Sequence, residues 1–467
     1  MAYNLHDLRV KGLELAEILC CTIEGRIGEH SRLVLDAYLK GSEDFVYGLP
    51  EYCPIEVQHQ GRGGLEVLFS GVVSEIRLEI ASGMKVVRVE GRSSSWLMDL
   101  TKKSRSFQDT EMTYKTMANM VMGDYPGSSF LFTGAEVPIG KLIVQYEETD
   151  WEFLKRTMSA LGLAVTPYDR RAGINIYIGL APSPARNVSF HILSIDKDME
   201  AYYHLKANGR QVAAADFTRY KIWSRQLLEL LETVGISGQI LTMFAYELDF
   251  SSQEMAGRYW FQKAGGLAVA QRYPMHLIGV ALMGKVVKPS GDKILAALEI
   301  DKESGNPSVY WFPYSTMSAS PDGSGWYCMP EIDDDVRIYF PSKHEGEAIA
   351  LSAASAYTPV GGPDRMQDPN SRYLRTKPGQ ELALNPDYLK LSCGDGLSSV
   401  TVMADGAVLV NAQKDIQVTG KESVSIHAEQ KLSIHSQELL EIESSKGGKI
   451  ELGEQTVTIK GTEVKLD

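Results

Sequence analysis

Short stretches in which apolar and polar residues alternate dominate the first 95 or so residues: "RLVLDAYL", "PIEVQHQ" and "LEVLFSGVVSEIRLEIASGMKVVRVEG". Period two broken by Gly and Ser predicts antiparallel strands joined by hairpins, so an all-β unit comes first. The rhythm then changes. From Asp109 to Met122 the apolar positions Tyr114, Met117, Ala118 and Val121 recur at helical spacing, and Gly123 is a stop signal. A second helix is predicted over "TDWEFLKRTMSALGL". Thr149 and Glu152 make a capping box there, Trp151, Leu154, Met158 and Leu161 share one face, and Gly162 sits where the chain must leave the helix. A strand pair follows, "LAVTPYD" and "INIYIGL", split by the turn Arg170-Arg171-Ala172-Gly173. Ala213 to Gln271 reads as mostly β, although "RYKIWSRQLLELLETVG" also fits an amphipathic helix through Trp223, Leu227, Leu230 and Val234. Between Met275 and Ala356 five short strands suit a small Greek-key barrel, and "TPVGGPDRMQDPN" after them reads as a linker.

Beyond Arg372 the pattern becomes a repeat. Pairs of apolar residues, each split by one residue, recur as Val408 and Val410, Ile416 and Val418, Val424 and Ile426, Leu432 and Ile434, Leu440 and Ile442, Ile450 and Leu452, Val457 and Ile459, Val464 and Leu466. Successive pairs are 8, 8, 8, 8, 10, 7 and 7 residues apart. Each pair describes a strand with one buried face, and the polar residues between describe the corner. A self-contained β-helix needs about twenty residues per coil to close its own cross-section, so eight do not suffice. Several identical chains must therefore share the cross-section, each covering the others' apolar edge. With three chains the eight layers, at about 4.7 Å each, make a triangular needle roughly 38 Å long, wet outside and dry inside.

Composition narrows the function. A chain of 467 residues is too long for one ordinary core, which implies two to four domains. A net charge of −13 argues against a phosphate-backbone binder, and the densest basic stretch, "TKKSRSF" at Thr101–Phe107, fits a solvated turn or a protein contact. No nucleic-acid binding is expected. The five cysteines, Cys20, Cys21, Cys53, Cys328 and Cys393, form neither a CxxC pair nor a disulfide ladder, so reduced thiols are expected. The start lacks the pattern of a signal peptide and no apolar run has the length a bilayer needs, so the chain is expected to be made in the cytoplasm.

The octads resemble those of spike proteins of contractile injection machines: the VgrG family and the related hub and spike proteins of contractile phage tails. The resemblance extends through nearly all the chain. "SSSWLMDLTKKSRSFQDTEMTYKTMANMVM" is similar to the hub pattern of a Trp-containing stretch, an Arg-x-Phe-Gln-Asp turn and a helix. "VQYEETDWEFLKRTMSALGLAV" resembles the family's strand followed by a Ser/Thr-Asp-Trp-x-Phe-Leu-x-Arg helix, the most specific motif present. On these matches Trp96, Phe107, Asp109, Asp150, Trp151, Phe153 and Leu154 are the hub-motif residues. "GSGWYCMPEIDDDVRIYFPSKHEGEAIALSAASAY" resembles the barrel's Pro-Glu-x-Gly-Asp-Glu-Val hairpin, with Asp333 where the family has glycine, which leaves the turn's geometry open.

The resemblance implies a mainly β protein. Tail-hub-like domains would occupy 1–275, as two β-barrel units with a helical insert near 96–162. An oligomer-binding-type (OB) barrel would occupy 276–356, a linker and needle base 357–395, and a trimeric triangular β-helix 396–467. The implied function is that of a homotrimeric hub and envelope-puncturing spike, incorporated in a baseplate and released or injected on contraction. It would adapt a threefold spike to the sixfold inner-tube protein and contact other baseplate components. The last residues, Val464, Lys465, Leu466 and Asp467, belong to a tip without His or Cys, so a separate PAAR-like tip protein, or cargo, is expected to bind there.

Other readings compete. Phage spikes can carry a lysozyme domain, and Glu147, Glu148 and Asp150 form a carboxylate cluster, yet Asp150 falls in a helical first turn, where the helix dipole favours a carboxylate. Asp333-Asp334-Asp335 suits a hairpin turn better than a cation site. His427 and His435 follow inward isoleucines and should face solvent. No catalytic residue, cofactor or metal is therefore expected. A trimeric adhesin stalk would explain the octads but not the hub.

Overall fold

The computed structural model describes residues 3–61, 64–81, 83–181, 183–251, 254–317, 327–353, 367–452 and 455–463. The chain divides into two compact units, Met1–Ser355 and Ala356–Asp467.

In the first unit a large antiparallel sheet runs in the order Leu8–Lys11, Pro54–Gly61, Gly64–Ala81, Met84–Ser93, Arg32–Leu39, Leu15–Arg26, Gln239–Asp249, Ala256–Gln262, Thr218–Ser224 and His191–Lys197, with Thr233–Ile236 pairing Gln239–Asp249. The early strands and the later ones join where Thr22–Arg26 pairs Ala245–Asp249. Alternation does what the sequence predicts: in Arg32–Leu39 the residues Leu33, Leu35 and Ala37 are buried, and they join Ile23, Val57, Phe69, Ile222, Met243 and Phe261 in one core. The stretch "RYKIWSRQLLELLETVG" forms no helix. Its first part is the strand Thr218–Ser224, and a turn with Leu231 at φ 72° leads into Thr233–Ile236.

Both predicted helices form. Tyr114–Gly123 starts at Thr113, whose hydroxyl accepts the Thr116 N–H at 3.1 Å. Asp150–Ser159 has the Thr149/Glu152 capping box, and Gly162 beyond it lies at φ 75°. A third helix, Met199–Ala207, is not evident from periodicity, because Leu205 is its single buried residue. The turn Arg170-Arg171-Ala172-Gly173 joins Val165–Pro167 to Asn175–Ile178. Arg170 is not solvated there: it is buried and donates to the Leu228 carbonyl at 3.1 Å.

The five strands beyond Met275 are Ala281–Ser290, Lys293–Leu298, Trp311–Pro313, Asp335–Tyr339 and Ile349–Ser352. Ala281–Ser290 lies in the middle of the sheet, and the two outer strands meet at a parallel Tyr314–Ala350 bridge, with Ser315 N–H donating to Ala350 at 2.9 Å. Phe312, Val336, Ile338 and Phe340 fill the interior, and Leu142 and Val144 of the hub insert complete it. The turn before Asp335–Tyr339 keeps a left-handed residue: Asp333 sits at φ 71°. Asp is among the few residues that tolerate this conformation, because its short polar side chain can bond locally.

The second unit is built of two meanders. Five strands, Arg372–Arg375, Glu381–Asn385, Tyr388–Cys393, Ser398–Met403 and Val408–Ala412, form one, and Leu440–Glu443, Lys449–Leu452 and Val457–Lys460 form the other. The octads from Ile416 to Ile434 have no sheet partner among the described residues, and no strand is assigned among residues 413–439. Strand pairing begins earlier than the octad spacing indicates, at Arg372.

Candidate functional site: a buried ion network and an exposed apolar face

The specific hub motif folds into a polar network inside the first unit. It starts with a bulge between Lys102–Phe107 and Ile143–Thr149, where the register slips between Lys103–Glu148 and Arg105–Gln145. Glu147 takes φ 44° there, and its N–H donates to Ser104 Oγ at 3.0 Å. A bulge re-aims the residues that follow it. Asp150 is fully buried and accepts from Arg105 Nη2, Lys103 Nζ and Tyr125 Oη at 2.7 Å each and from Gln145 Nε2 at 2.9 Å. Burial, and donation of its proton to Asp150, push the Tyr125 hydroxyl pKa up. Asp124 bridges Lys103 and Arg105; burial alone would raise its pKa, and those two cations hold it below the ordinary value.

Further along the same helix, Arg156 forks onto Glu148 at 2.9 Å and reaches Glu345 Oε1 at 3.2 Å, while its Nη2 donates to the Val144 carbonyl at 2.8 Å. Glu345 also accepts the Val144 N–H at 2.9 Å. Asp301 accepts the Ser106 N–H at 2.6 Å and its hydroxyl at 2.5 Å. Glu345 and Asp301 come from the segment of five strands beyond Met275, so that segment and the residues around the two helices share charged contacts as well as a core. On the other side Trp151 packs against His30, with ring centroids 4.4 Å apart and planes tilted by 36°. The His30 ring lies 2.8 Å from Ser95 Oγ and 3.4 Å from Asp99, which accepts Thr149 Oγ1 at 2.5 Å.

Five of the seven motif residues therefore meet: Asp150 and Trp151 in the network, Leu154 in the core, and Phe107 stacked on Phe153 at 5.3 Å. Trp96 is half-buried in the short turn Ser94–Asp99 outside the network, and Asp109 caps a local turn by accepting the Glu111 N–H at 3.0 Å. Sequence reasoning did not assign His30, Gln145, Asp301 or Glu345, and Arg156 entered only as the last position of the helix motif. Glu345 lies 189 residues from Arg156, and no local pattern links them.

The arrangement can hold shape. Buried charges that are paired and hydrogen-bonded fix geometry, and removing one partner strands the others at a cost of several kcal/mol. Of the carboxylates weighed for hydrolysis, Asp150 and Glu148 are both committed to such pairs, whereas Glu147 is exposed. The acid triplet is divided too: Asp334 accepts the Glu331 N–H at 2.8 Å and Asp335 pairs with Lys285 at 2.8 Å. His427 and His435 are exposed.

The second unit presents the opposite picture. Leu374, Leu382, Leu391, Val400 and Val410 stand opposite one another across five strands, with Leu384, Leu389, Val402 and Val408 in the next row. An open groove of about 540 Å³ lies over this face, lined also by Ile416. The second meander repeats the arrangement, with Leu440, Leu452 and Val457 in one row and Ile442, Ile450 and Ile459 in the other. Leu440 is half-buried, and every other octad residue from Val408 to Ile459 is exposed, up to 74 % at Val418. Among the described residues of this unit only Gly379, Ala383 and Thr401 are buried. Val464, Lys465, Leu466 and Asp467, with the last octad and the expected tip contact, lie outside the described residues.

Residues 33–224 match the sequence model of the phage tail baseplate hub (GPD) family. No curated protein matches the chain. The fold is similar to that of the E. coli c3393 protein, described as a type VI secretion component with structural similarity to T4 bacteriophage tail proteins gp27 and gp5. The TM-score is 0.53 at 11 % identity, over 74 % of this chain and 99 % of that one. It is also similar to the Francisella PdpA–VgrG complex, with a TM-score of 0.51 at 12 % identity over 86 % of this chain and 87 % of that one in the half-lidded form. The lidded form gives 0.51 at 11 % identity, over 88 % and 78 %. The fold is thus mainly β and of the phage tail-hub class. Within that class its fold resembles that of the VgrG complex.

Proposed function

We propose that three copies of this chain form the hub and spike of a contractile injection machine, with the second unit as a shared needle. The observation that carries this reading is the row-by-row apolar face of the second unit, which none of the unit's described residues covers. Burying one Val, Leu or Ile is worth about 1.5–3 kcal/mol, and this unit forgoes that many times over as a single chain. Three copies closing a triangular β-helix over 396–467 bury the rows against one another and supply partners for the octads from Ile416 to Ile434.

The first unit then forms the hub, with two barrel units in 1–275 around the helical insert. The five strands of 276–356 serve as an OB-type barrel, a reading supported by the bridge between their outer strands. Residues 357–395 are linker and needle base. The ion network makes insert and barrel one stiff body, suited to carrying axial load from a sixfold inner tube to a threefold spike. A PAAR-like protein or cargo caps the tip around Val464–Asp467, and baseplate components surround the hub. The role is mechanical rather than catalytic, and the particle, not a membrane, is where the protein resides before contraction.

Particles assembled with a chain lacking 396–467 test this. The expected result is a baseplate without its central spike that contracts but does not breach the target envelope. Full puncturing by such particles contradicts the proposal. Release of cell-wall fragments by the purified intact chain, abolished by Glu147→Gln, favours a hydrolase spike instead.

A further inference from the structure

We propose that one end of the large sheet, formed by the segment Gly41–Cys53 and the tip of the hairpin Gly64–Ser93, is a docking surface for a protein subunit that presents basic residues around an apolar hollow. Given the hub function proposed above, on which this inference rests, that subunit is the inner-tube protein. The strand Arg32–Leu39 runs directly into this segment. Phe45 and Leu49 pack back against the sheet's core and anchor it. Lys85 ties it to the hairpin tip, donating to the Gly41 carbonyl at 3.5 Å and pairing with Glu43.

This anchored surface leaves Tyr47 86 % exposed, and the hairpin tip beside it leaves Ile80 59 % and Met84 54 % exposed. Three large side chains in solvent, Tyr47 at the end of the short helix Asp44–Tyr47 and Ile80 and Met84 at strand ends, mark an interaction site. Tyr and Met are also over-represented where binding energy concentrates. Tyr52 lies further along the segment, 62 % exposed and at φ 51°. A bulky residue held in that conformation costs about 1–2 kcal/mol, and such strain concentrates at functional surfaces.

Charge selects the partner. From Gly41 to Cys53 there are three acids, Glu43, Asp44 and Glu51, and no Lys or Arg. Lys85 neutralises Glu43. Asp44 and Glu51, with the exposed Glu79 on the hairpin, have no ion pair among the described residues. An acidic rim around aromatic and apolar side chains complements a basic rim around a hollow, and cation–π contacts to Tyr47 add to the match. The same surface of a second copy would set acid against acid, so pairing of this surface with itself is disfavoured.

The test is the affinity of the purified full-length chain for the purified inner-tube protein of the same particle. Tyr47→Ala and Met84→Ala should each weaken binding at least about tenfold, while Tyr47→Phe should stay within about threefold. Glu51→Lys should slow association and flatten its dependence on salt. Binding by the wild type that Tyr47→Ala leaves unchanged overturns the inference and leaves the tube-adapter function standing. No binding by the wild type overturns both. A photo-cross-linking residue at position 47 should capture the tube protein; capture of a second copy of this chain assigns the surface to self-association and contradicts the inference.

Discussion

In the strand Arg32–Leu39 the inward residues Leu33, Leu35 and Ala37 are completely buried, whereas in Val408–Ala412 the same alternation leaves Val408 and Val410 more than half exposed. The two strands have similar local sequences and differ in what covers them. The first unit encloses its apolar faces within one chain and adds a network of buried charges. The second unit has flat rows of apolar residues and almost nothing inside. Local pattern dictates which face wants burial, and the length of chain available per layer decides whether one chain can supply the cover.

Charging the second unit's apolar face is the largest way to break this contrast. Ile442 and Ile450 stand opposite each other, and in a shared needle both recur in every chain of one layer. Ile442→Asp with Ile450→Asp would place several carboxylates in a dry core, each costing several kcal/mol unless neutralised. Sedimentation analysis should show loss of assembly, while the hub's unfolding transition stays in place. All six tryptophans lie before residue 355, so their fluorescence reports the hub alone. Within the hub, Asp150→Ala removes the acceptor shared by Arg105, Lys103 and Tyr125, and should lower hub stability by about 3–5 kcal/mol in denaturant titrations followed by that fluorescence.

A smaller effect concerns pH. Burial lowers the His30 pKa from its ordinary 6.5, against the pull of Asp99. The folded hub then binds fewer protons than the unfolded chain, so stability should decline as pH falls below 6.5 and level off beneath the folded pKa. The hydrogen bond from His30, followed by that from Thr149, outweighs burial and holds Asp99 below 3.8; its contribution is present above that value and is lost as pH falls through the folded pKa. His30→Gln should flatten the first decline. The smallest change expected is at the barrel turn. Asp333→Gly should raise stability by about 0.5 kcal/mol, and Asp333→Val should lower it by about 1–2 kcal/mol, because Asp333 occupies the left-handed region.

How much of this was legible in the sequence follows from the range of each interaction. The helix Asp150–Ser159 was readable because its cap, its apolar face and its terminal glycine lie within fourteen residues, Thr149 to Gly162. The five strands beyond Met275 were readable from alternation, but the meeting of their outer strands depends on Tyr314 and Ala350, far apart in the chain. The network's partners His30, Asp301 and Glu345 were not readable, because a buried charge on one strand does not name its counter-charge elsewhere. The octads were visible from their spacing, and the strands from Arg372 to Met403 were missed as part of the same array because theirs is irregular. Helix Met199–Ala207 was missed because it buries so little.

The most direct test of the central claim is the solution mass of the full-length chain by light scattering over a wide range of concentration. The account predicts three times the 51.6 kDa chain mass, unchanged on dilution, and a fall to the single-chain mass when residues 396–467 are removed. A stable monomer of the intact chain would contradict it, because the apolar rows of the second unit would then have to be covered within one chain.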